Sequence, residues 1–437
     1  MNARERILEH VNRAFRRHGA EHISTPLLER SETLVGPFRE SKTEERRDGD
    51  GMGEEAKKLI YRIQAGEGEE ALTLRYDLTM SFARFLANTG KEHFKRAQVG
   101  WVGRRDHPSM GKGRFRLFYQ ADFDIAGMKP NTLRMASDAE CIQFVGEVLR
   151  DMHLGPFVVK VNHIGLLDAI LKACDVDDKL RATTCSSIDK LDKIPWSVVA
   201  EELRAKGLVV AQITALEKLL KGKEEDFRKD PVVSIQGKQA LDDLGLCFTF
   251  LRAFGGVVNA VLEPSLARGL GYYTGIIFEA QFINHPSFGS VAAGGRYDNL
   301  VSKFCSRSVP IVGASIGVDR ILAIQESRAE EKEKETETVQ VLVASIGKEP
   351  ELTAARLDLL AKLWEANISA ETFYEEGPKR EAQLAYAIKK KITTVVWIGA
   401  KELKKLIYTI KFVSSKLTES VPKADVVTFL QKMFENL

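Results

Sequence analysis

Residues 94–127, FKRAQVGWVGRRDHPSMGKGRFRLFYQADFDIAG, constrain this chain more than any other stretch. Apolar, aromatic-rich runs bracket a loop carrying Gly111 and Gly113, so the segment reads as strand, basic loop, strand. Lys95, Arg96, Arg104, Arg105, Lys112, Arg114 and Arg116 oppose only Asp106, Asp122 and Asp124. Guanidinium forks mounted on two strands can fix phosphate oxygens bidentately, which makes the segment a candidate polyphosphate clamp. A basic hairpin on a solvated sheet edge satisfies the same pattern. Gln120 and Asp124 lie four apart on one strand and therefore share a face, an amide and a carboxylate suited to an ammonium or a hydroxyl.

Short β-like runs recur on both sides, LIYRI and LTLRYDL before it and GYYTGIIFEAQF and SVAAGG after it, and together they predict an antiparallel sheet. Ile7, Leu8, Val11, Ala14 and Phe15 have helical spacing, with Gly19 where a C-cap belongs. Residues 40–58 are charged, glycine-containing and nearly free of apolar side chains, and read as a mobile surface insertion. A helix over 137–153 and a strand over 157–161 precede a block with helical periodicity, 171–252. The helical pattern from Val318 to Glu326 runs into the charged SRAEEKEKETET. Beyond it, VQVLVASI, ISAETFY and TTVVWIG alternate with helical stretches 351–366, 379–390 and 424–436, the pattern of a small α/β domain with a parallel or mixed sheet.

With 437 residues, the chain is long enough for about three domains of roughly 150 residues. Lys plus Arg number 64 and Asp plus Glu 61, so affinity for a nucleic acid has to come from local clusters of cations. Five cysteines without C-x-x-C spacing argue against a disulfide framework and a thiolate zinc site. No apolar run approaches the roughly 18 residues of a membrane span, and MNARERILEH lacks a secretory apolar region, so a soluble intracellular protein is expected. There is no G-x-x-x-x-G-K-[ST], no G-x-G-x-x-G after a strand and no H-E-x-x-H, which removes P-loop, dinucleotide-fold and metalloprotease readings.

RRDHPSMGKGRFRLFYQADFDIAG resembles motif 2 of histidyl-tRNA synthetases, class II aminoacyl-tRNA synthetases, in their eukaryotic form. Four more matches occur in order: HGAEHISTPLLE resembles motif 1, LTLRYDLT the amino-acid-binding segment, LARGLGYYTGIIFE with AAGGRYDNLV the two histidine-specific motifs, and GASIGVDRI motif 3. The resemblance implies an α+β catalytic domain with an antiparallel sheet, a helical insertion and a C-terminal α/β anticodon-binding domain. Its boundaries are 1–170 and 253–326 for the catalytic parts, 171–252 for the insertion, 327–337 for a charged linker and 338–437 for the anticodon domain. It implies an enzyme that activates histidine with ATP and passes it to tRNA(His). The partners are then histidine, ATP with Mg2+ as its substrate complex, and the tRNA. By the resemblance the protein is expected to be a homodimer whose interface includes Pro26, to be cytoplasmic, and to need no structural metal or membrane; the motifs leave open whether a mitochondrial form exists.

By the same resemblance Arg104, Asp106, Arg114 and Arg320 bind ATP, with Arg104 and Arg268 acting on the α-phosphate. Asp77, Thr79, Gln120, Asp124, Arg268, Tyr272, Tyr273, Gly294 and Tyr297 surround the histidine. Gly295, beside Gly294, would share in a close backbone approach. Lys379, Arg380 and Gln383 fall where the family contacts the anticodon. The motifs do not identify magnesium ligands. The segment 338–437 carries 15 Lys plus Arg against 12 Asp plus Glu, a weak excess compatible with docking one RNA stem-loop. Three features depart from the family. Gly271 replaces a usual aspartate, 40–58 has no counterpart, and the KGTRD-like segment before the first helix is missing, which points to a truncated or short form. A catalytically inactive tRNA-sensing or regulatory module is the alternative; intact Arg104, Arg268 and Arg320 speak for the enzyme.

Overall fold

The computed structural model describes residues 3–31, 59–63, 70–127, 134–256, 258–267, 271–331, 339–375, 377–413, 415 and 417–435. The 40–58 insertion and Arg268 lie outside the described residues. The chain forms two compact units, residues 1–331 and 332–437.

The first unit is built on an eight-stranded sheet. With strands numbered along the chain, its spatial order is β1 (Glu21–His22), β5 (Phe94–Gly103), β6 (Leu117–Ala126), β11 (Ile311–Gly317), β10 (Ala292–Arg296), β9 (Ile276–Phe282), β7 (Phe157–His163) and β8 (Ala260–Leu262). The six inner strands pair antiparallel, as the patterning predicts, but the edge strands β1 and β8 lie parallel to β5 and β7. The sheet is therefore mixed. Before β8 the chain crosses over through the helical block and so returns in the direction of β7, which only a long connection allows. A second sheet has the order β2 (Leu28–Arg30), β4 (Leu72–Leu74), β3 (Arg62–Ile63).

Strand alternation sorts β6 into two faces. Ala121, Phe123 and Ile125 enter the core, where Phe123 stacks on Phe144 of the helix Ala136–Asp151 at 4.6 Å. Phe144 in turn stacks on Phe15 of the helix Ala3–Arg17 at 5.4 Å. Gln120, Asp122 and Asp124 occupy the other face.

Seven helices, from Ile164–Ala173 to Lys238–Ala253, lie between β7 and β8. The block starts earlier than residue 171 because His163 caps its first helix, Nδ1 accepting the Gly165 N–H at 3.0 Å. The helix Val318–Glu331 takes in residues expected to begin the linker, since Arg328, Ala329 and Glu330 are good helix formers.

The second unit has a five-stranded sheet in the order β13 (Ala370–Thr372), β12 (Val341–Ile346), β14 (Thr394–Gly399), β15 (Ile407–Phe412), β16 (Thr418–Pro422). β12 pairs parallel with β13 and β14, and the last three strands are antiparallel, a mixed sheet. Val341, Val343, Val396 and Ile398 pack on one face, and Leu342, Ala344, Val395 and Trp397 on the other. Burial on both faces explains the unbroken apolar runs. No helix among the described residues is long and apolar enough to cross a membrane.

Candidate active site

Three rows of paired residues cross the open face of the sheet. Arg96, Asp124, Gly313 and Gly295 form one; Gln98, Asp122 and Ser315 the next; Gly100, Gln120 and Gly317 the third. The glycines leave space that the longer side chains use. A Cβ on Gly313 would overlap the Asp124 carboxylate, and one on Gly295 would come 2.8 Å from the Tyr273 ring. Gly294, expected beside the histidine, has its open side toward Phe278 on the opposite, core-facing surface, because it is one residue out of phase with Gly295. Its smallness serves packing, and Gly295 is the glycine on the pocket face.

Arg96 is fully buried and saturates its donors. Nε reaches Asp124 Oδ2 at 2.7 Å, Nη1 the Leu78 carbonyl and Gln98 Oε1 at 2.9 Å each, and Nη2 Asp122 Oδ2 at 2.9 Å. Its guanidinium also sits 4.5 Å from the Phe82 ring centre. Burial opposes its charge, yet Asp124 and Asp122 hold it protonated more firmly than a free arginine. Burial raises the proton affinity of both carboxyls, Asp122 to about 7, with Arg96 working against the rise.

Asp77 Oδ1 accepts the N–H groups of Thr79 at 3.1 Å and Met80 at 3.0 Å, fixing the first turn of the helix Thr79–Thr89. Its Oδ2 accepts the Tyr272 hydroxyl at 3.3 Å, and burial raises its proton affinity. The Tyr297 hydroxyl donates to Asp124 Oδ1. Tyr272, Tyr273 and Tyr297 form one aromatic group with ring centres 5.0–6.5 Å apart. Burial, with nearby carboxylates adding to it, keeps all three hydroxyls protonated. The structure thus gathers Asp77, Thr79, Asp124 and the tyrosines around one pocket, with Gln120 on its floor.

The arginines stand beside this floor. Arg104 donates Nε to the Tyr76 carbonyl at 3.2 Å and lies 4.2 Å over the Tyr76 ring and 5.2 Å from that of Phe118. In the loop after it, Gly113 adopts φ +61° and passes so close to the helix Val318–Glu331 that a Cβ would meet the Arg320 backbone at 2.8 Å. Arg114 and Arg320 therefore belong to one locality. Arg114 has a buried Nε without a partner, while Arg320 donates to the Ser290 carbonyl. Asp106 is exposed and spends Oδ1 on the His107 N–H at 2.9 Å. Asp319 locks this end by accepting the Tyr119 N–H at 2.6 Å and Arg4 Nη2 at 2.8 Å.

Pro26 is exposed, and its carbonyl accepts Arg75 Nη1 at 3.4 Å. In the second unit, Lys379 and Arg380 are exposed, Arg380 lying 5.2 Å from the Trp397 ring centre. Gln383 departs from expectation. It is fully buried, its amide donating to the carbonyls of Ser345 at 2.8 Å and Pro378 at 3.1 Å, so it braces the sheet and is closed to RNA. No cluster of His, Cys, Asp or Glu among the described residues could hold a metal ion.

Sequence reasoning passed over Asp122, Ser315 and Asp319, and it counted Arg96 among the phosphate-clamping cations, whereas the structure buries Arg96 as the counter-ion of Asp122 and Asp124. The period of two in Gln120, Asp122, Asp124 was the signal for Asp122.

A largely antiparallel sheet with carboxylates, tyrosines and arginines gathered on one face, and a separate α/β unit after it, defines a class II aminoacyl-tRNA synthetase. The histidyl-tRNA synthetase family model matches residues 1–321, and an anticodon binding domain matches 340–433. The chain is 38% identical to the cytoplasmic histidine–tRNA ligase of Dictyostelium discoideum, covering 100% of this chain and 89% of that one. It is 41% identical to the mitochondrial histidine–tRNA ligase of Bos taurus, covering 99% and 85%. The crystal structure of a histidyl-tRNA synthetase from Nostoc superposes with a TM-score of 0.76 at 25% identity, covering 98% of this chain and 95% of that one. The chain belongs to the histidyl-tRNA synthetase family.

Proposed function

We propose that this enzyme joins the carboxylate of histidine to the α-phosphate of ATP, releasing pyrophosphate, and then transfers the histidyl group to the 3′ end of tRNA(His). The observation that carries this is one sheet face holding a floor of hydrogen-bond acceptors, Asp77, Gln120 and Asp124, beside the arginine locality of Arg104, Arg114 and Arg320. The acceptors suit the ammonium and ring N–H of histidine, and burial makes the pocket reject side chains that would leave them unpaired. The arginines suit ATP, which arrives with Mg2+. The chemistry asks for positioning and charge stabilisation more than for covalent participation by the protein. Arg268, by its motif, supplies a fixed positive charge at the α-phosphate.

The catalytic parts are the sheet-bearing segments on either side of the helical insertion Ile164–Ala253, the linker begins after Glu331, and the RNA-binding domain is 338–437, with Lys379 and Arg380 toward the anticodon. The enzyme works as a homodimer joined around Pro26. Leu27 and Leu28 support this, remaining 44% and 42% exposed beside it in the isolated chain. No observation favours an inactive sensing or regulatory module.

Pyrophosphate exchange across the twenty amino acids, followed by charging of tRNA(His), tests the reading. Histidine alone should support exchange. Exchange with another amino acid, or none, would overturn it.

A further inference from the structure

Three elements meet at the Asp319 carboxylate. Asp319 stands in the first turn of the helix Val318–Glu331, one residue before Arg320. Its Oδ2 accepts the N–H of Tyr119 on β6 at 2.6 Å, and its Oδ1 accepts Arg4 Nη2, from the helix Ala3–Arg17, at 2.8 Å. The Asp319 side chain is 4% exposed and that of Arg4 34%, so the acid is shut away from water while the arginine reaches it from the surface. The Arg4 guanidinium also lies 5.4 Å from the Tyr119 ring centre and 5.6 Å from that of Trp101, the cross-strand partner of Tyr119. Tyr119 and Trp101 are one residue out of phase with Gln120 and Gly100 of the pocket floor, which puts Arg4 behind the sheet.

We infer that Arg4 is a positioning residue for the nucleotide, acting through Asp319 to fix the start of the helix that carries Arg320 and backs the loop of Arg114. A buried carboxylate with a donor on each oxygen has one place to sit, and taking away the charged donor removes the stronger of its two restraints. Gly113 passes against the backbone of Asp319 and Arg320, so a shift at the helix start is handed on to that loop. The histidine side is insulated from such a shift. β6 is paired with β5 from Leu117 to Ala126 and with β11 from Gln120 to Ala126, and these ladders hold Gln120 and Asp124 in register however Asp319 sits. The first helix thereby becomes part of the ATP site. This inference rests on the function proposed above.

The test is histidine-dependent pyrophosphate exchange by the full chain, with KM measured separately for ATP and histidine and a melting temperature for each protein. Arg4→Ala should raise the ATP KM about five- to tenfold and leave the histidine KM within about twofold. Arg4→Lys restores the charge without the planar fork, and should bring the ATP KM back to within about threefold of wild type. Asp319→Asn should raise the ATP KM by itself. Adding Arg4→Ala to it should then change that value less than about twofold, because the route from the arginine is already cut. An unchanged ATP KM in Arg4→Ala, an equal rise for histidine, or a full further rise in the Asp319→Asn background overturns the inference. Should Arg4→Ala loosen the first helix and lower the melting temperature, Arg4→Gln keeps the stem against Tyr119 and Trp101 and drops the charge. The same split between ATP and histidine is expected of it, and equal or unchanged KM values have the same force against the inference. Wild-type protein without histidine-dependent exchange would instead refute the functional reading.

Discussion

Arg96 donates its Nε to Asp124 Oδ2 over 2.7 Å from the adjacent strand, with both side chains shut away from water. Its bond to the Leu78 carbonyl joins the segment carrying Asp77 to the strand carrying Asp124, so one guanidinium spaces the two pocket carboxylates. Arg96→Met should cost about 3 to 5 kcal/mol in denaturant unfolding, since it strands buried carboxylates without a counter-charge. Arg96→Lys should recover part of the loss. A cost below about 1 kcal/mol would show that water reaches the cluster.

Ground-state binding and transition-state stabilisation should separate at Asp77 and Arg268. Asp77→Ala should raise the histidine KM with little change for ATP. Arg268→Ala should bind histidine normally yet lose about 10² to 10³ in the rate of adenylate formation, as removal of a preorganised oxyanion partner does. Rapid-quench adenylation and equilibrium histidine binding on the same samples distinguish the two. An Arg268→Ala enzyme with a lower melting temperature and a wild-type rate would mark that arginine as structural.

Residues 332–437 form a unit with their own sheet and core. A chain ending at 331 should keep histidine-dependent exchange within a fewfold of the full enzyme while losing most tRNA charging. Equal loss of both activities would mean that the second unit supports the first.

His163 carries a pH dependence of known sign. Burial lowers its pKa to about 4, and Arg296 adds to the effect while Asp138 opposes it. Its Nδ1 must stay unprotonated to accept the Gly165 N–H. The neutral ring therefore stabilises the fold fully above pH 6.5, and that contribution falls as pH drops toward about 4. At most about 3 kcal/mol is at stake. Asn at a helix N-cap keeps an acceptor without titrating. Urea unfolding at pH 7 and 4.5 should show a smaller acid loss in His163→Asn than in wild type, and equal losses would exclude His163 as the cause.

Long strands and helices were legible because their periods repeat. β5 and β6, each ten residues, announce themselves through alternation, as does the apolar stripe of the first helix. β1 and β8, with two and three residues, have no period to read, so the parallel edges were invisible. Asp122 was hidden by its neighbours' chemistry: a carboxylate next to Phe123 looks solvated until the register sets Arg96 and Ser315 around it. Gln383 misled for the opposite reason. A glutamine on a helix flanked by Lys379, Lys390 and Lys391 resembles a surface residue, and only the fold reveals the carbonyls of Ser345 and Pro378 that draw it inward.

The strand order also sets a timetable for synthesis. Gln120 and Ser315 meet across β6 and β11 although 195 residues separate them in the chain. A ribosome adding about 5 to 20 residues per second needs roughly ten to forty seconds to cover that distance. Throughout that interval β6 has an unpaired edge, and Arg96, Asp122 and Asp124 lack half of their enclosure. The helices from Ile164 to Ala253, rich in local contacts, emerge within the same interval and can fold while the sheet waits. The half-made sheet is thus the stage at which the nascent chain is most open to wrong strand partners, and most in need of a chaperone's cover.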